Sequence, residues 1–108
     1  MCSSAHHCNR WALTSQEREW HFGQVSKSLR EAVKRARELT DGFEFEFAPN
    51  SATARLLSEW VIDERLCYPF FDIGLPWERE GGSAWLRLTG RSGVKQFIEA
   101  DLAGWFRQ

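Results

Sequence analysis

Hydrophobic and polar positions repeat with different periods along the chain, and these periods predict its helices and strands. The segment 14–17 has the form of a capping box, because the Thr14 hydroxyl and the Glu17 carboxylate can each accept the other's backbone N–H. A helix is therefore expected to begin near Ser15 and to end near residues 35–37. Its apolar positions recur at helical spacing. They are Val25, Leu29, Val33 and Ala36.

After the first predicted helix, apolar and polar residues alternate at successive positions. Residues 43–47 alternate Phe with Glu, which places three rings on one face of a strand and two carboxylates on the other. Asp41-Gly42 is a two-residue turn signal that favours positive φ at both positions. The sequence therefore predicts a hairpin with arms at about 36–40 and 43–48.

The remaining elements repeat this order. A second helix is predicted over about 51–66, and Pro69 disfavours its continuation. Residues 71–77 and 84–89 alternate apolar with polar side chains and predict two more strands. A last helix is expected after residue 93.

The order helix-ββ-helix-ββ-helix predicts an α+β fold. Short turns make consecutive strands antiparallel, and a sheet with one apolar face needs a covering on one side only. We expect a four-stranded, mainly antiparallel sheet with helices on one face. A length of 108 residues fits one domain, at 11–108, preceded by a polar arm at 1–10.

Charge and composition exclude several classes of function. The formal net charge is −1, so the basic footprint of a nucleic-acid-binding protein is missing. No apolar run approaches the roughly 20 residues that span a bilayer, and the N-terminus lacks the apolar region of a signal peptide. Three widely spaced cysteines do not resemble a secreted disulfide framework. We therefore expect a cytoplasmic protein that binds neither nucleic acid nor membrane.

The second predicted helix carries the first candidate site. Trp60, Glu64 and Cys67 share one helical face, and a carboxylate on an apolar face needs a partner. Arg87 and the arginines of the first helix are the candidate partners. Glu64 and Cys67 are then either a metal or redox site or an ion pair beside a space-filling thiol. The helix C-terminus raises the pKa of a thiol, which disfavours a nucleophile and leaves metal ligation open.

The N-terminal arm carries a second group of metal-ligating side chains. Thiolates and imidazoles are the donors preferred by zinc, copper and other thiophilic metal ions. The four candidates are Cys2, His6, His7 and Cys8. Their spacing matches no standard zinc finger, so the alternatives are a polar arm with incidental donors and a composite site that joins Cys8 to Cys67.

A third candidate is a loop between the fourth strand and the last helix. Backbone N–H groups at a helix N-terminus can hold an anion, with cationic side chains nearby. The candidate anion-binding residues are Arg91, Ser92, Gly93 and Lys95. The ordinary alternative is a strand-to-helix connection in which Ser92 caps the helix.

Two stretches of the sequence resemble a family of small bacterial proteins without an assigned activity. That family carries Glu-Arg-x-Cys-Cys-Pro-Phe, and this chain has Glu-Arg-Leu-Cys-Tyr-Pro-Phe at 64–70. The family also ends with Gly-Gly-x-x-Trp-Leu-x-Leu-Thr-Gly-x-x-Gly-Val-Lys, which matches residues 81–95. The resemblance covers about residues 8–103.

The resemblance implies a thiol site made by Cys8 and Cys67. The family often has a cysteine shortly before its first helix, where Cys8 stands in this chain. Tyr68 replaces the second cysteine of the family motif and removes one soft ligand. The adjacent histidines His6 and His7 could supply donors in its place.

The sequence leaves three functions open. The first is a small thiol protein that binds a soft or borderline metal ion through Cys8 and Cys67, with Glu64 and the arm donors as accessory ligands. The second is a homodimeric interaction module, suggested by an excess of aromatic side chains. These are Trp11, Trp20, Trp77, Trp85, Trp105 and Phe106. The third is a redox enzyme that uses Cys67, and it is the least expected because no base is visible near Cys67 in the sequence. No catalytic triad or paired-carboxylate motif is present either.

Overall fold

The computed structural model describes residues 10–106, so nearly all of the predicted arm at 1–10 lies outside the described residues, as do residues 107–108. The helical elements, in chain order, are a 3-10 turn at Arg10–Ala12, α1 at Ser15–Arg18, a π-helical segment at Glu19–Val25, α2 at Ser26–Ala32, α3 at Ser51–Cys67, α4 at Val94–Asp101 and a 3-10 turn at Ala103–Phe106. The strands are β1 at Arg35–Leu39, β2 at Gly42–Phe47, β3 at Asp72–Gly74 and β4 at Ala84–Thr89.

The first helix is formed by α1, the π-helical segment and α2 without a break. The predicted capping box is confirmed: the Thr14 N–H donates to the Glu17 carboxylate at 2.8 Å, and the Glu17 N–H donates to the Thr14 hydroxyl at 3.1 Å. The helix ends at Ala32, earlier than predicted. Val33 is extended and buried, and the Lys34 N–H already donates to the Glu46 carbonyl of β2 at 2.8 Å. Pairing with β2 therefore replaces the last predicted helical turn.

The hairpin forms, but its turn is one residue earlier than predicted. Leu39 pairs with Gly42, so Thr40 and Asp41 are the two turn residues. Within residues 10–106, positive φ is confined to Glu80, Gly81 and Gly93, and the predicted positive φ at Asp41-Gly42 is wrong. Gly42 is needed for another reason, since a Cβ there would lie 1.9 Å from the Leu88 carbonyl oxygen of β4. The glycine allows β2 and β4 to approach each other.

The predicted α+β architecture is confirmed. The sheet has the order β1-β2-β4-β3, and all neighbouring strands are antiparallel. Facing pairs such as Phe45 with Leu86 direct the apolar face of β2 and β4 towards the helices. The helices contribute the other half of one core, including Leu29, Trp60 and Ile98. β3 is shorter than predicted, with Trp77 joined to β4 by an isolated bridge beyond Pro76.

The opposite face of the sheet carries a network of charges. Glu44 is buried between two arginines, Arg37 at 2.5 Å and Arg87 at 2.7 Å. Burial alone would raise the pKa of Glu44, but the hydrogen bonds and charges of both arginines outweigh it, so the pKa lies below its ordinary value. The Arg37 guanidinium also stacks on the indole of Trp85, 4.1 Å from its centroid. This network covers a tryptophan that the sequence places on the polar face.

Among the helices of residues 10–106, none combines the length and the apolar character needed to cross a bilayer.

Candidate functional site

A buried imidazole–carboxylate pair joins the first helix to α3. The Asn50 side chain caps α3 by accepting the Thr53 N–H at 2.8 Å, and the helix then runs 17 residues with Glu64 on its buried face. Glu64 is 1% exposed and His21 is fully buried. The His21 Nε2 lies 2.6 Å from Glu64 Oε1. The prediction of an arginine partner for Glu64 is therefore wrong. Glu64 contacts His21, whereas Arg87 forms its ion pair with Glu44 on the other side of the sheet.

The π-helical segment positions His21. Its hydrogen bonds span five residues, as where the Ser26 N–H donates to the His21 carbonyl, so it inserts an extra residue into the helix. The imidazole lies between two rings: Trp60 stacks on it at 5.7 Å, and Phe22 meets it edge-on at 4.6 Å. π-Segments occur frequently at functional sites because they redirect side chains. Here the redirected side chain is a histidine held in the core.

Sequence reasoning missed His21, although a signal was present. His21 lies four residues before Val25 and eight before Leu29, which puts it on the apolar stripe of the first helix. A polar side chain on such a stripe requires a buried partner, as Glu64 does on α3. Two stripes that each carry one polar residue are typical of a buried pair between helices.

The geometry fixes which imidazole nitrogen faces the carboxylate. Where the Glu64 carboxylate is ionised it can only accept hydrogen bonds, and the His21 Nε2 is then the donor in this contact. In the neutral imidazole the lone pair then belongs to Nδ1. Metal-ligating histidines almost always donate their other ring N–H to a carboxylate or a carbonyl, which orients the ring and increases its basicity. Carboxylate-oriented metal ligands make the same kind of contact between an imidazole nitrogen and a carboxylate oxygen.

A second carboxyl lies beside this pair on α3. Asp63 is half-buried, and its pKa is raised chiefly by burial and also by the charges of Glu17 and Glu59. The nearby His21 acts in the opposite direction. The neighbourhood of the imidazole is thus rich in negative charge.

Cys67 is the last residue of α3 and is fully buried. It lies three residues beyond Glu64 on the same face, and the following Tyr68 is also buried. Burial and the negative end of the helix both favour the neutral thiol over the thiolate. Cys67 is therefore closed to external substrates, whereas a bound cation would compensate the charge of its thiolate.

The other predicted metal ligands are not among the described residues. Cys2, His6, His7 and Cys8 all precede Arg10. Within residues 10–106, no group of three or more His, Cys, Asp or Glu side chains is arranged to hold a metal ion. Glu64 and Cys67 thus lie on the buried face of α3, and His21 contacts Glu64 from the first helix, but within residues 10–106 these three side chains do not form a metal site.

The predicted anion site lies at the start of α4. Gly93 is the N-cap, with a φ of 98°, and no side chain caps the helix, so the prediction that Ser92 caps it is wrong. Arg91 and Ser92 are exposed. Lys95 forms an ion pair with Glu38 of β1. Anion binding by Arg91, Ser92, Gly93 and Lys95 stays a prediction.

The aromatic side chains proposed for an interaction surface divide into two groups. Trp85 and Trp105 are buried, so their predicted surface role is wrong, and Phe106 is half-buried against the core. Trp11, Trp20 and Trp77 are exposed, Trp11 by 81%. Among the large apolar side chains of residues 10–106, Trp11 is the most accessible, and the Arg18 guanidinium lies 4.3 Å from its ring centroid.

Comparison with known proteins leaves the family open. No protein-family model, no curated protein and no solved structure matches this chain. The resemblance to small bacterial proteins with the Glu-Arg-x-Cys-Cys-Pro-Phe motif therefore stays a prediction. The site described above must be interpreted from its own geometry.

Proposed function

We propose that the protein binds one thiophilic metal ion, zinc or copper(I), at a composite site on the buried face of α3. His21 supplies an imidazole nitrogen and Cys67 a thiolate. Cys8 is the first of the N-terminal donors, with Cys2, His6 and His7 as accessory ligands. The single observation that carries the proposal is the 2.6 Å contact between His21 Nε2 and Glu64 Oε1 in the core.

Glu64 acts as the orienting carboxylate in this proposal. It accepts the Nε2 proton of His21, which leaves Nδ1 as the nitrogen that can ligate a metal. Removal of such a carboxylate typically lowers metal affinity about 10- to 100-fold. Glu64 therefore contributes to affinity without having to contact the ion.

Chain connectivity supports a contribution from Cys8. The 3-10 turn at Arg10–Ala12 packs against α3, the helix that carries Glu64 and Cys67. Cys8 precedes Arg10 by two residues, and two residues of extended chain span at most about 7 Å. The covalent chain thus keeps this thiol within reach of the N-terminal turn that contacts α3.

Metal binding also resolves the electrostatic difficulty of a buried thiol. A thiolate is unfavourable at a buried helix C-terminus, but a bound cation replaces the proton and compensates the negative charge. Metal affinity should then fall as the pH decreases, because protons compete for the sulfur and for the imidazole.

Native mass spectrometry of the reduced full chain with limiting Zn(II) or Cu(I) tests the proposal. We expect one ion per chain in the wild type and none in Cys67→Ser or Cys8→Ser. Glu64→Gln should bind more weakly by about 10- to 100-fold. Glu59→Gln, on the exposed face of the same helix, is the matched control and should bind as the wild type does. Absence of an ion in the wild type, or its retention in both cysteine variants, would refute the proposal.

A second candidate function is a homodimeric interaction module. Ile62 and Leu66 are one helical turn apart on the outer face of α3 and are 59% and 50% exposed. The turn that carries Trp11 packs against the same helix. Sedimentation of the wild type and of Leu66→Glu distinguishes the two functions. A dimer that the substitution dissociates would support the module, whereas a wild-type monomer at high concentration would refute it.

A further inference from the structure

The outer face of the sheet, opposite the helical core, is lined by charged side chains from three strands. Apolar residues such as Phe45 and Leu86 point into the core, so their neighbours along β2 and β4 point outwards. The outer sheet face comprises Arg35, Arg37, Glu44, Glu46, Trp85 and Arg87. It contains no thiol and is separate from the buried face of α3, so a site there goes beyond the proposed metal function.

The charges that reach solvent on the outer sheet face are positive. The side chains of Arg35, Arg37 and Arg87 are 62%, 54% and 49% exposed. Those of Glu44 and Glu46, which bind them, are only 3% and 13% exposed. A molecule that approaches this surface therefore meets guanidinium groups before carboxylates.

Two exposed acidic side chains limit this positive surface at one end of the sheet. Asp41 lies in the hairpin turn, and Asp72 pairs with Thr89, the last residue of β4. Arg35 is at the other end of β1, next to the exposed Lys34. A negatively charged ligand is thus favoured towards the end of the face that carries Arg35.

The guanidinium groups are held in place by their neighbours. Oε1 of Glu44 accepts from Arg37 Nη2 at 2.5 Å and its Oε2 accepts from Arg87 Nε at 2.7 Å, so one carboxylate fixes two arginines. The guanidiniums of Arg37 and Arg35 lie 4.1 Å and 5.5 Å from the ring centroid of Trp85. Side chains that are already ordered lose less conformational entropy when they bind a partner.

These arginines retain hydrogen-bond donors. Arg35 donates to Glu46 through Nε, and Arg87 donates to Glu44 through Nε. Within residues 10–106, the terminal nitrogens of both guanidiniums have no hydrogen-bond partner. A guanidinium that uses only Nε keeps the N–H groups of both terminal nitrogens, which suit the oxygens of a carboxylate.

We propose that the outer sheet face binds an extended acidic segment of a partner protein, with Glu or Asp at alternate positions. Arg35 and Arg37 are two positions apart on β1, a separation of about 7 Å along a strand. Alternate side chains of an extended peptide repeat at the same distance, so two carboxylates of the partner can each meet one of these guanidiniums. Arg87 binds the same Glu44 carboxylate as Arg37 and adds its donors beside those of Arg37.

Fluorescence anisotropy with labelled peptides tests the proposal. The acidic probe is Gly-Glu-Gly-Glu-Gly-Glu-Gly, and the control peptide has Gln in place of Glu and the same label. A chelator is present throughout, which separates this result from metal binding. We expect the full chain to bind the acidic probe saturably and at least about tenfold more tightly than the control, with an affinity that falls as salt is added. The Trp85 indole resonance should shift in the NMR spectrum of the complex, because two guanidiniums lie on its ring.

Substitutions locate the site on the outer sheet face. Arg35→Gln and Arg87→Gln should each weaken binding of the acidic probe about threefold or more, since exposed ion pairs are individually modest. The Arg35 side chain is the most exposed of the three arginines, so its substitution should leave the fold intact. Arg55→Gln removes an exposed cation from α3 and should leave the affinity unchanged.

Four results would overturn the proposal. The first two are no saturable binding of the acidic probe to the wild type, and an equal loss of affinity in Arg55→Gln. Tighter binding of a single-stranded oligonucleotide of the same charge would overturn it in favour of nucleic acid. Sedimentation that shows a wild-type dimer dissociated by Arg35→Gln would overturn it in favour of a second copy of this chain.

Discussion

The buried pair between His21 and Glu64 gives a sharp prediction about stability. Replacing Glu64 with Ala removes the carboxylate that accepts the His21 Nε2 proton and leaves that donor in a site without exposure to water. Breaking a buried pair by removing one partner costs about 3–5 kcal/mol, because the other polar group remains desolvated. Glu64→Gln keeps an acceptor oxygen and exchanges a charged hydrogen bond for a neutral one, at a cost of about 1 kcal/mol.

Urea unfolding followed by circular dichroism measures these costs. Slopes for small proteins are about 1–3 kcal/mol per M of urea, so a loss of about 4 kcal/mol lowers the midpoint by roughly 2 M. Domains of this size have about 5–15 kcal/mol of stability, so Glu64→Gln should remain folded even if Glu64→Ala does not. Glu59→Ala, on the exposed face of α3, should change stability by no more than about 0.5 kcal/mol.

A double-mutant cycle isolates the contact itself. If the pair is coupled, His21→Ala combined with Glu64→Ala should cost at least about 1 kcal/mol less than the sum of the single substitutions. Strict additivity, or a cost for Glu64→Ala no greater than that for Glu59→Ala, would refute the reasoning. Either result would also remove the main support for an oriented metal ligand at His21.

Three further substitutions test other parts of the fold. Because folding lowers the pKa of Glu44, the contribution of its ionised carboxylate to stability is complete above pH 4.5 and is lost as the pH falls towards the folded-state pKa. Urea unfolding at several pH values should therefore show a smaller acid-induced loss of stability in Glu44→Gln than in the wild type. The raised pKa of Asp63 has the opposite sign, so stability declines as the pH rises above 3.8, and Asp63→Asn should raise the thermal midpoint slightly at neutral pH. Gly42→Ala should cost about 3 kcal/mol, because its Cβ meets a backbone oxygen at 1.9 Å, whereas Gly74→Ala, with its nearest contact at 3.7 Å, should cost little in the same unfolding assay.

Local patterns predicted those parts of the fold whose causes are local. The capping box at Thr14 and the alternation in residues 43–47 each involve neighbours a few positions apart, and both elements form as expected. The first helix ends early because Lys34 pairs with a strand, which the helical pattern cannot indicate. The requirement for glycine at position 42 is likewise not local, because it comes from the backbone of Leu88 in β4 and not from the hairpin turn.

The candidate site depends on contacts between distant segments, and the sequence indicated only half of it. The face of α3 with Glu64 and Cys67 followed from helical spacing. Its partner His21 is 43 residues away in sequence, on the π-helical segment of the first helix. A search for polar residues on two apolar stripes would have paired His21 with Glu64.

The strand order has a consequence for how copies of this chain can associate. β1 and β3 are the outermost strands of the sheet, where backbone groups are open to pairing with another molecule. β1 carries charged side chains at Arg35, Arg37 and Glu38, and β3 has only three residues. Short strands and charged borders both discourage the continuation of a sheet from one molecule into the next. Both borders of the sheet are therefore poorly suited to the edge-to-edge pairing that would extend it into a second molecule.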